Sequence, residues 1–318
     1  MADLTSAGNA IMSVITPQLV KSTFLNKEIF DVAPGGVGST SGSGAHRWVV
    51  ESGANSSGGT ADPNGGLFPA AASLTLLQPS LTPQLFDAAM RVTDELAAAL
   101  NGAADPVNVL AAEMSSCLDR VYDNFSAMVL SSTAPLGIEL AVDSTGTYAG
   151  VAHTTTGWAS RETAVGGALT AAVLYNDEEA LALPDRATNA DISLVSHEQF
   201  TNYCQLGGLG NSSIQNSPVR VHVSPGEVAN VNIGLDRRVA YFGSQRIVPI
   251  RDMTNTIWLM GVAKEIEILA HERPGSVSGL KIEDAPREGY ERKVVASWYG
   301  IFKIANPYHW AKDTGVTA

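Results

Sequence analysis

The stretch Asp105–Pro135, DPVNVLAAEMSSCLDRVYDNFSAMVLSSTAP, reads as one long, cleanly bounded amphipathic helix. Asp105 is a good N-cap, and Pro106 occupies the first helical position, where its missing N–H costs nothing. Val107, Leu110, Ala111, Met114, Leu118, Val121, Tyr122, Phe125, Met128 and Val129 recur at spacings of three and four, so one face is apolar throughout. Ser131-Ser132-Thr133-Ala134-Pro135 ends the pattern, since proline forbids continuation. At about 1.5 Å per residue, a helix over 105–132 is roughly 40 Å long, well beyond the globular average.

Toward the N-terminus the texture inverts. Ten of the thirty glycines fall between Gly35 and Gly66, and from Ala33 to Ser80 the only Lys, Arg, Asp or Glu residues are Arg47, Glu51 and Asp62. A segment of that composition cannot bury its own core, because glycine loses the most entropy on ordering and few apolar residues offset the loss. It either stays mobile, as a linker between two ordinary domains would, or is ordered by a neighbour. Within it, Arg47-Trp48-Val49-Val50-Glu51 and Ser73-Leu74-Thr75-Leu76-Leu77 are short strand-like runs separated by Gly, Ser, Asn and Pro. They predict an extended hairpin with a long loose tip.

Beyond the helix the chain predicts mixed α/β structure. Leu136–Val142 alternates like a strand, Ser144-Thr145-Gly146 turns, and a loop around His153–Gly157 leads to a helical pattern from about Thr163 to Leu183. A strand over 190–195 passes into a helix opened by Ser196, with Phe200, Tyr203 and Cys204 along one side. A glycine-rich loop over 207–213 precedes a half-exposed strand with Val219, Val221 and Val223 on one face. Further strands are predicted over 239–242, 246–250, 257–262 and 265–269. Last comes a continuous strand over 293–305, stopped by Asn306-Pro307 and, at about 3.3 Å per residue, roughly as long as the helix. The two are predicted to lie side by side in one elongated domain, with about Gly146–Glu272 inserted as a second domain.

Composition narrows the function classes. A chain of 318 residues, 45% hydrophobic and 16% charged, buries a proper core. With 20 Lys plus Arg against 32 Asp plus Glu, the net charge of −12 repels phosphate and argues against a sequence-specific grip on nucleic acid. No lysine occurs between Lys27 and Lys264, and the doublets Arg237-Arg238 and Arg292-Lys293 are too small to form a binding stripe. Met1-Ala2-Asp3-Leu4 lacks a basic lead-in and no apolar run approaches the span of a bilayer, so neither a signal peptide nor a membrane anchor is predicted. Cys117 and Cys204 read as reduced, buried small hydrophobes of a protein made in a cytosol.

Catalytic signatures are missing. There is no Gly-x-x-x-x-Gly-Lys-Ser/Thr loop, and Gly207-Gly208-Leu209-Gly210 lacks the preceding strand and further glycine of a dinucleotide site. His46, His153, His197, His222, His271 and His309 form no metal-ligand spacing, and His197-Glu198 and His271-Glu272 read as solvated polar faces. Asp177-Glu178-Glu179 reads as a solvated turn, because three consecutive acids on a helix point in different directions. No catalytic, cofactor-binding or metal-binding residue is predicted. A soluble hydrolase or transferase with a glycine-rich lid over 35–66 is the rival from another class, and it requires convergent acid, base or nucleophile residues that the spacing does not offer.

The order of parts resembles the major capsid proteins of tailed bacteriophages. Ser73–Leu77 followed by Leu81-Thr82-Pro83-Gln84-Leu85 is similar to the outgoing strand of that family's extended loop, and Asp105–Ser132 to its spine helix. Ala190–Phe200 is similar to the axial-domain strand and helix, Phe242–Ile250 with Trp258-Leu259-Met260-Gly261 to the strands that end that domain, and Tyr299–Pro307 to the closing strand. The resemblance implies an α+β fold divided into an N-terminal arm (1–43), an extended β-hairpin loop (44–80), a peripheral domain (81–145 with spine helix 105–132, and 273–318) and an axial α/β domain (146–272).

It further implies a virion protein, assembled in the host cytoplasm, whose hexamers and pentamers build an icosahedral shell around double-stranded DNA. Portal and decoration proteins would be partners, and a separate scaffolding protein is implied because the chain begins almost at the arm, or else a scaffolding segment has already been removed. Arg47, Trp48, Glu51, Phe68, Leu74 and Leu76 are the predicted inter-subunit contacts. Some family members link subunits covalently through a lysine in the extended loop; this loop has none, so non-covalent locking is expected. An encapsulin-type nanocompartment shares the fold and is the nearest alternative. A tail-tube or sheath subunit lacks the long capped helix between hairpin and inserted domain.

Overall fold

Between Glu28 and Thr317 short helices alternate with strands that sort into two large sheets. The structure, a computed structural model, describes residues 28–40, 44–52, 76–93, 106–183, 188–208, 240–242, 245–276, 278–288 and 291–317. The chain runs through α1 (Glu28–Val32), β1 (Val37–Thr40), β2 (His46–Arg47), β3 (Val50–Glu51), β4 (Leu76–Leu77), β5 (Ser80–Leu81), β6 (Gln84–Thr93) and α2 (Pro106–Val129). Next come α3 (Ile138–Ala141), β7 (Thr147–Tyr148), β8 (Val151–Ala152), β9 (Arg161–Ala168), α4 (Ala171–Ala182), β10 (Ile192–Ser196) and α5 (His197–Gly208). The chain finishes with β11 (Ala240–Phe242), β12 (Gln245–Ile250), β13 (Ile257–Gly261), β14 (Ile266–His271), β15 (Leu280–Glu288), β16 (Glu291–Ile304) and β17 (Ala311–Thr317). The expected N-cap Asp105, the strand over 219–223 and residues 53–75 lie outside the described residues.

The 24-residue helix α2 is where its spacing puts it. Met114, Cys117, Leu118, Val121, Tyr122, Phe125 and Val129 are buried, while Ser116, Arg120, Asp123 and Asn124 face water. Burial raises the Cys117 thiol above its ordinary range, which keeps it protonated and inert. After Val129 the Ser131 hydroxyl accepts from the Thr133 and Ala134 backbone N–H groups, replacing helical bonds with a turn.

The buried face of α2 lies along β16, as their matched lengths predict. Phe125 meets Trp298 with ring centroids 4.6 Å apart, and Phe86 from β6 and Phe30 from α1 each approach Phe125 at 5.4 Å. Phe86 and Phe30 also touch Trp298, at 5.8 and 5.9 Å. This rules out a free arm over the whole of 1–43: Ile29, Phe30, Val32 and Ala33 are core residues, and β1 pairs in parallel with β14 from Val37↔Ile268 to Thr40↔His271. The wedge is apolar enough to gain more from burial than it loses in chain entropy.

The first sheet runs β1-β14-β16-β15, with β6 on the other edge of β16. β6 and β15 are unpredicted strands. In β6 the alternation is present, with Phe86 and Met90 inside and Leu85, Asp87, Ala89 and Arg91 outside, but alanines dilute it. In β15 the charges mask it, and Pro286 falls where the register with β16 shifts, between Ala285 and Glu288.

The second sheet runs β11-β12-β10-β13-β17-β9. The Ser196 hydroxyl caps α5 by accepting from Gln199 N at 3.1 Å, as expected. Two local expectations are corrected. Leu136–Val142 is not a strand: Leu136, Gly137, Ile138 and Glu139 are all buried, which alternation does not allow, and residues 138–141 form the single turn α3. The helical pattern from Thr163 splits into strand β9 and helix α4, with Gly166 at φ +61° in the strand and Thr170 capping the helix.

The chain crosses between the sheets twice on the way to its end. β14 belongs to the first sheet although 266–271 was expected in the insert. β17 belongs to the second, pairing β13 and β9, although 273–318 was expected to return wholly to the first domain. The buried Trp310 makes the second crossing, and its ring fills the space where a Cβ on Gly261 would sit, 2.2 Å away.

Asp177 is also not in a solvated turn. It and Asp313 of β17 are 1% and 2% exposed, and their carboxyls face each other beside Arg161, whose Nε lies 2.8 Å from Asp177 Oδ1. Burial first, and the Asp177 carboxyl second, push Asp313 up to about 9, against the pull of Arg161. A raised folded-state value means that the folded chain holds a proton the unfolded chain releases above its ordinary 3.8. The linked stabilisation is therefore complete below that value and is lost as pH rises through about 9.

Two outcomes follow for the folded chain. Phe125→Ala, which opens the aromatic cluster, lowers unfolding stability by about 3–5 kcal/mol in urea titrations, against under about 1.5 kcal/mol for Met128→Leu at its margin. Between pH 5 and 9 the wild type loses stability relative to Asp313→Asn by up to roughly 1 kcal/mol per pH unit, read as the difference between the two chains' urea midpoints.

Candidate functional site: the hairpin ribbon

The two strand-like runs of the glycine-rich segment do pair. β2 meets β5 through His46↔Leu81 and Arg47↔Ser80, and β3 meets β4 through Val50↔Leu77 and Glu51↔Leu76. Between these short ladders the Trp48 N–H donates to Pro79 O at 3.2 Å. Two-residue ladders do not hold a ribbon by themselves.

The ribbon is fixed at its root. The Trp48 indole donates to Ala305 O at 2.8 Å, beyond the end of β16, and Ser80 N donates to Ala149 O at 2.8 Å. Ser52 Oγ donates to Thr156 O. The turn that receives these bonds is itself tied to β16, where Ile304 N donates to the Tyr148 hydroxyl at 3.0 Å. Lys303 Nζ lies 4.8 Å from the centroid of the Trp48 ring, 3.0 Å from Glu267 Oε2 and 3.1 Å from His46 Nε2. Burial first, and the Lys303 charge second, lower His46 from its ordinary value, with Glu267 opposing.

The predicted contact residues divide. Arg47, Glu51 and Leu76 are exposed on the ribbon, the last at 57%. Trp48 is half-buried against its own chain, where its indole serves as the anchor. Phe68 and Leu74 lie outside the described residues. Val49, 59% exposed, and Leu85, 54% exposed at the start of β6, are large apolar side chains that the sequence reading did not single out. Val49 was legible, since alternation within Arg47–Glu51 puts it opposite to Trp48.

This site offers an apolar strip with flanking charges of both signs. Among the described residues no group of three or more His, Cys, Asp or Glu is placed to hold a metal ion, and no helix is long and apolar enough to cross a membrane. The site's exposed apolar side chains are Val49 and Leu76, with Leu85 near the start of β6.

No protein-family model and no curated protein matches the sequence. Solved structures do. The chain superposes on a subunit of the cyanophage A-1(L) capsid with a TM-score of 0.68 at 14% identity, covering 93% of this chain and 94% of that one. It matches a capsid subunit of the native GTA particle with a TM-score of 0.56 at 13% identity, over 91% and 90% of the two chains. The virus-like particle from Pyrococcus furiosus gives a TM-score of 0.52 at 10% identity, over 96% and 97%. Across almost its whole length, this chain shares the fold of these capsid and virus-like-particle subunits.

Proposed function

We propose that this chain is the major capsid protein of a tailed double-stranded DNA bacteriophage, a structural subunit and not an enzyme. The observation that carries the reading is the ribbon: anchored at its root by Trp48, it holds Val49 and Leu76 more than half exposed, with nothing of the described chain over them. Covering them is worth about 1 kcal/mol per side chain, small for one copy and cumulative over a closed shell of identical copies. In this reading 44–80 is the extended loop laid on an adjacent subunit, α2 the spine of a peripheral domain, and the second sheet the core of an axial domain. The axial domain, on this reading, ends at about residue 262 and takes in β17, which the pairing of β14 with β16 and of β17 with β13 and β9 supports. Hexamers and pentamers close an icosahedral head in the host cytoplasm, with scaffolding, portal and decoration proteins as partners. The net charge of −12 suits a container that holds DNA without gripping it.

Expressed alone and with its neighbouring genes, the full chain gives hexameric capsomers or closed shells in negative-stain images. Leu76→Lys combined with Val49→Asp abolishes them while leaving the thermal unfolding midpoint within a few degrees of wild type; the lysine pairs with Glu51 across the ribbon. A small monodisperse monomer from the unaltered chain under all these conditions overturns the reading, and shells filled with protein cargo instead of nucleic acid point to a nanocompartment. Since no lysine lies between Lys27 and Lys264, denatured shells give one monomer mass; a ladder of multimers contradicts non-covalent locking.

A further inference from the structure

The hairpin root contains a contact that a single proton abolishes. Lys303 Nζ and His46 Nε2 are 3.1 Å apart. An ammonium only donates, so Nε2 must carry its lone pair, and His46 is the neutral tautomer with its proton on Nδ1. A protonated imidazole turns an N–H toward an ammonium at the same distance, and both the hydrogen bond and its sign are lost. Lys303 cannot retreat: it is buried, held by Glu267 at 3.0 Å and capped by the Trp48 ring. His46, partly exposed, can.

We propose that His46 is a proton-operated pin that keeps the hairpin root docked on β16 at neutral pH and lets it swing away on acidification. The charged groups that face His46 are Lys303 of β16 and Glu267 of β14; β5, across the ladder, offers Ser80 and Leu81 and no charge. Glu267 opposes the effect but is already engaged by Lys303. His46 also stacks on Trp48, centroids 5.9 Å apart at 25°, so its departure uncovers one face of the indole that anchors the ribbon to Ala305.

The sign follows from the direction of the shift. The docked imidazole holds a proton less tightly than a free one, so docking is fully stabilised above the ordinary histidine value of 6.5 and loses that stabilisation as pH falls below it. The pin rests on the root's own geometry and not on the shell reading, and it is testable in the full chain whatever its assembly state.

Hydrogen exchange followed by mass spectrometry, corrected for intrinsic rates, reports the root through peptides covering 44–52 and 76–82. From pH 7.5 to 5.0 exchange there accelerates roughly fivefold in wild type relative to β10 and β16 peptides, and His46→Gln, which keeps an acceptor that does not titrate, removes the acceleration. Equal acceleration in the variant, or none in wild type, overturns the proposal. The imidazole itself supplies a second readout that needs no variant: its NMR titration midpoint lies below 6.5, and a midpoint at or above that value overturns the pin.

Discussion

A strand hydrogen-bonded along both edges can be ordered only where other segments cover it, and β16 is such a strand. Its first ten residues pair with β6 on one side, in unbroken register from Glu291↔Thr93 to Gly300↔Gln84, and with β15 on the other as far as Trp298. Its last five pair with β14. Trp298 then gathers Phe30, Phe86 and Phe125 from three distant segments, and the final residues take the hairpin root. Each interaction alone is worth a kilocalorie or so, but they share one strand, so α1, β6, α2 and the ribbon find their positions relative to one another through it. Gly300 shows how close the packing is, since a Cβ there would sit 2.4 Å from the Trp298 ring.

What was legible in the sequence were the elements whose apolar pattern has a single period. α2 and β16 run long enough for three-and-four spacing or alternation to be unambiguous, and their equal lengths led to their being placed together. β10 and β13 were found as short runs rich in large apolar residues between turns. The failures have other causes. Leu136–Val142 alternates on paper, but burial of four consecutive residues is a tertiary fact, visible only once Glu139 accepts from Thr254 and α3 is enclosed. β9 and α4 together mimic one amphipathic helix until the Gly166-Gly167 pair is weighted as a break. The N-terminal wedge was lost because the glycine-rich segment that follows it set the reading of the whole arm, although Ile29, Phe30 and Val32 were in plain sight. At the site, the hairpin and its exposed Leu76 were readable; the inward turn of Trp48 was not, because the carbonyl it serves, Ala305, is 257 residues away in the chain.

Several of the buried charged groups of the described chain lie at its joints. Lys303 and Glu267 sit under the hairpin root; Asp177, Asp313 and Arg161 sit where α4 meets the last two strands of the second sheet; Lys312 reaches Asp143 at 3.2 Å beside the crossing made by Trp310. A buried charge pair adds little net stability over an apolar pair of the same volume, and leaving one partner alone costs several kilocalories. Such pairs therefore specify which surfaces meet more than how strongly. Where β13 passes to β14 and β16 to β17 the crossings are short, and there that specificity keeps β14 with one sheet and β13 and β17 with the other.

The same reasoning bears on why the ribbon is built so thinly. Two ladders of two residues cannot order a hairpin, so the order of its described part comes from Trp48, Ser80 and Ser52 at the root. In its described part the ribbon is held at the root and carries Val49 and Leu76 exposed, so covering them need not disturb β16. On the proposed shell reading, such a ribbon has to meet chemically identical but geometrically unequal neighbours, as in a closed shell containing both six-fold and five-fold rings. A stiffer hairpin would fit one kind of neighbour well and the other badly, while an unanchored one would lose in ordering entropy most of what it gained by being covered.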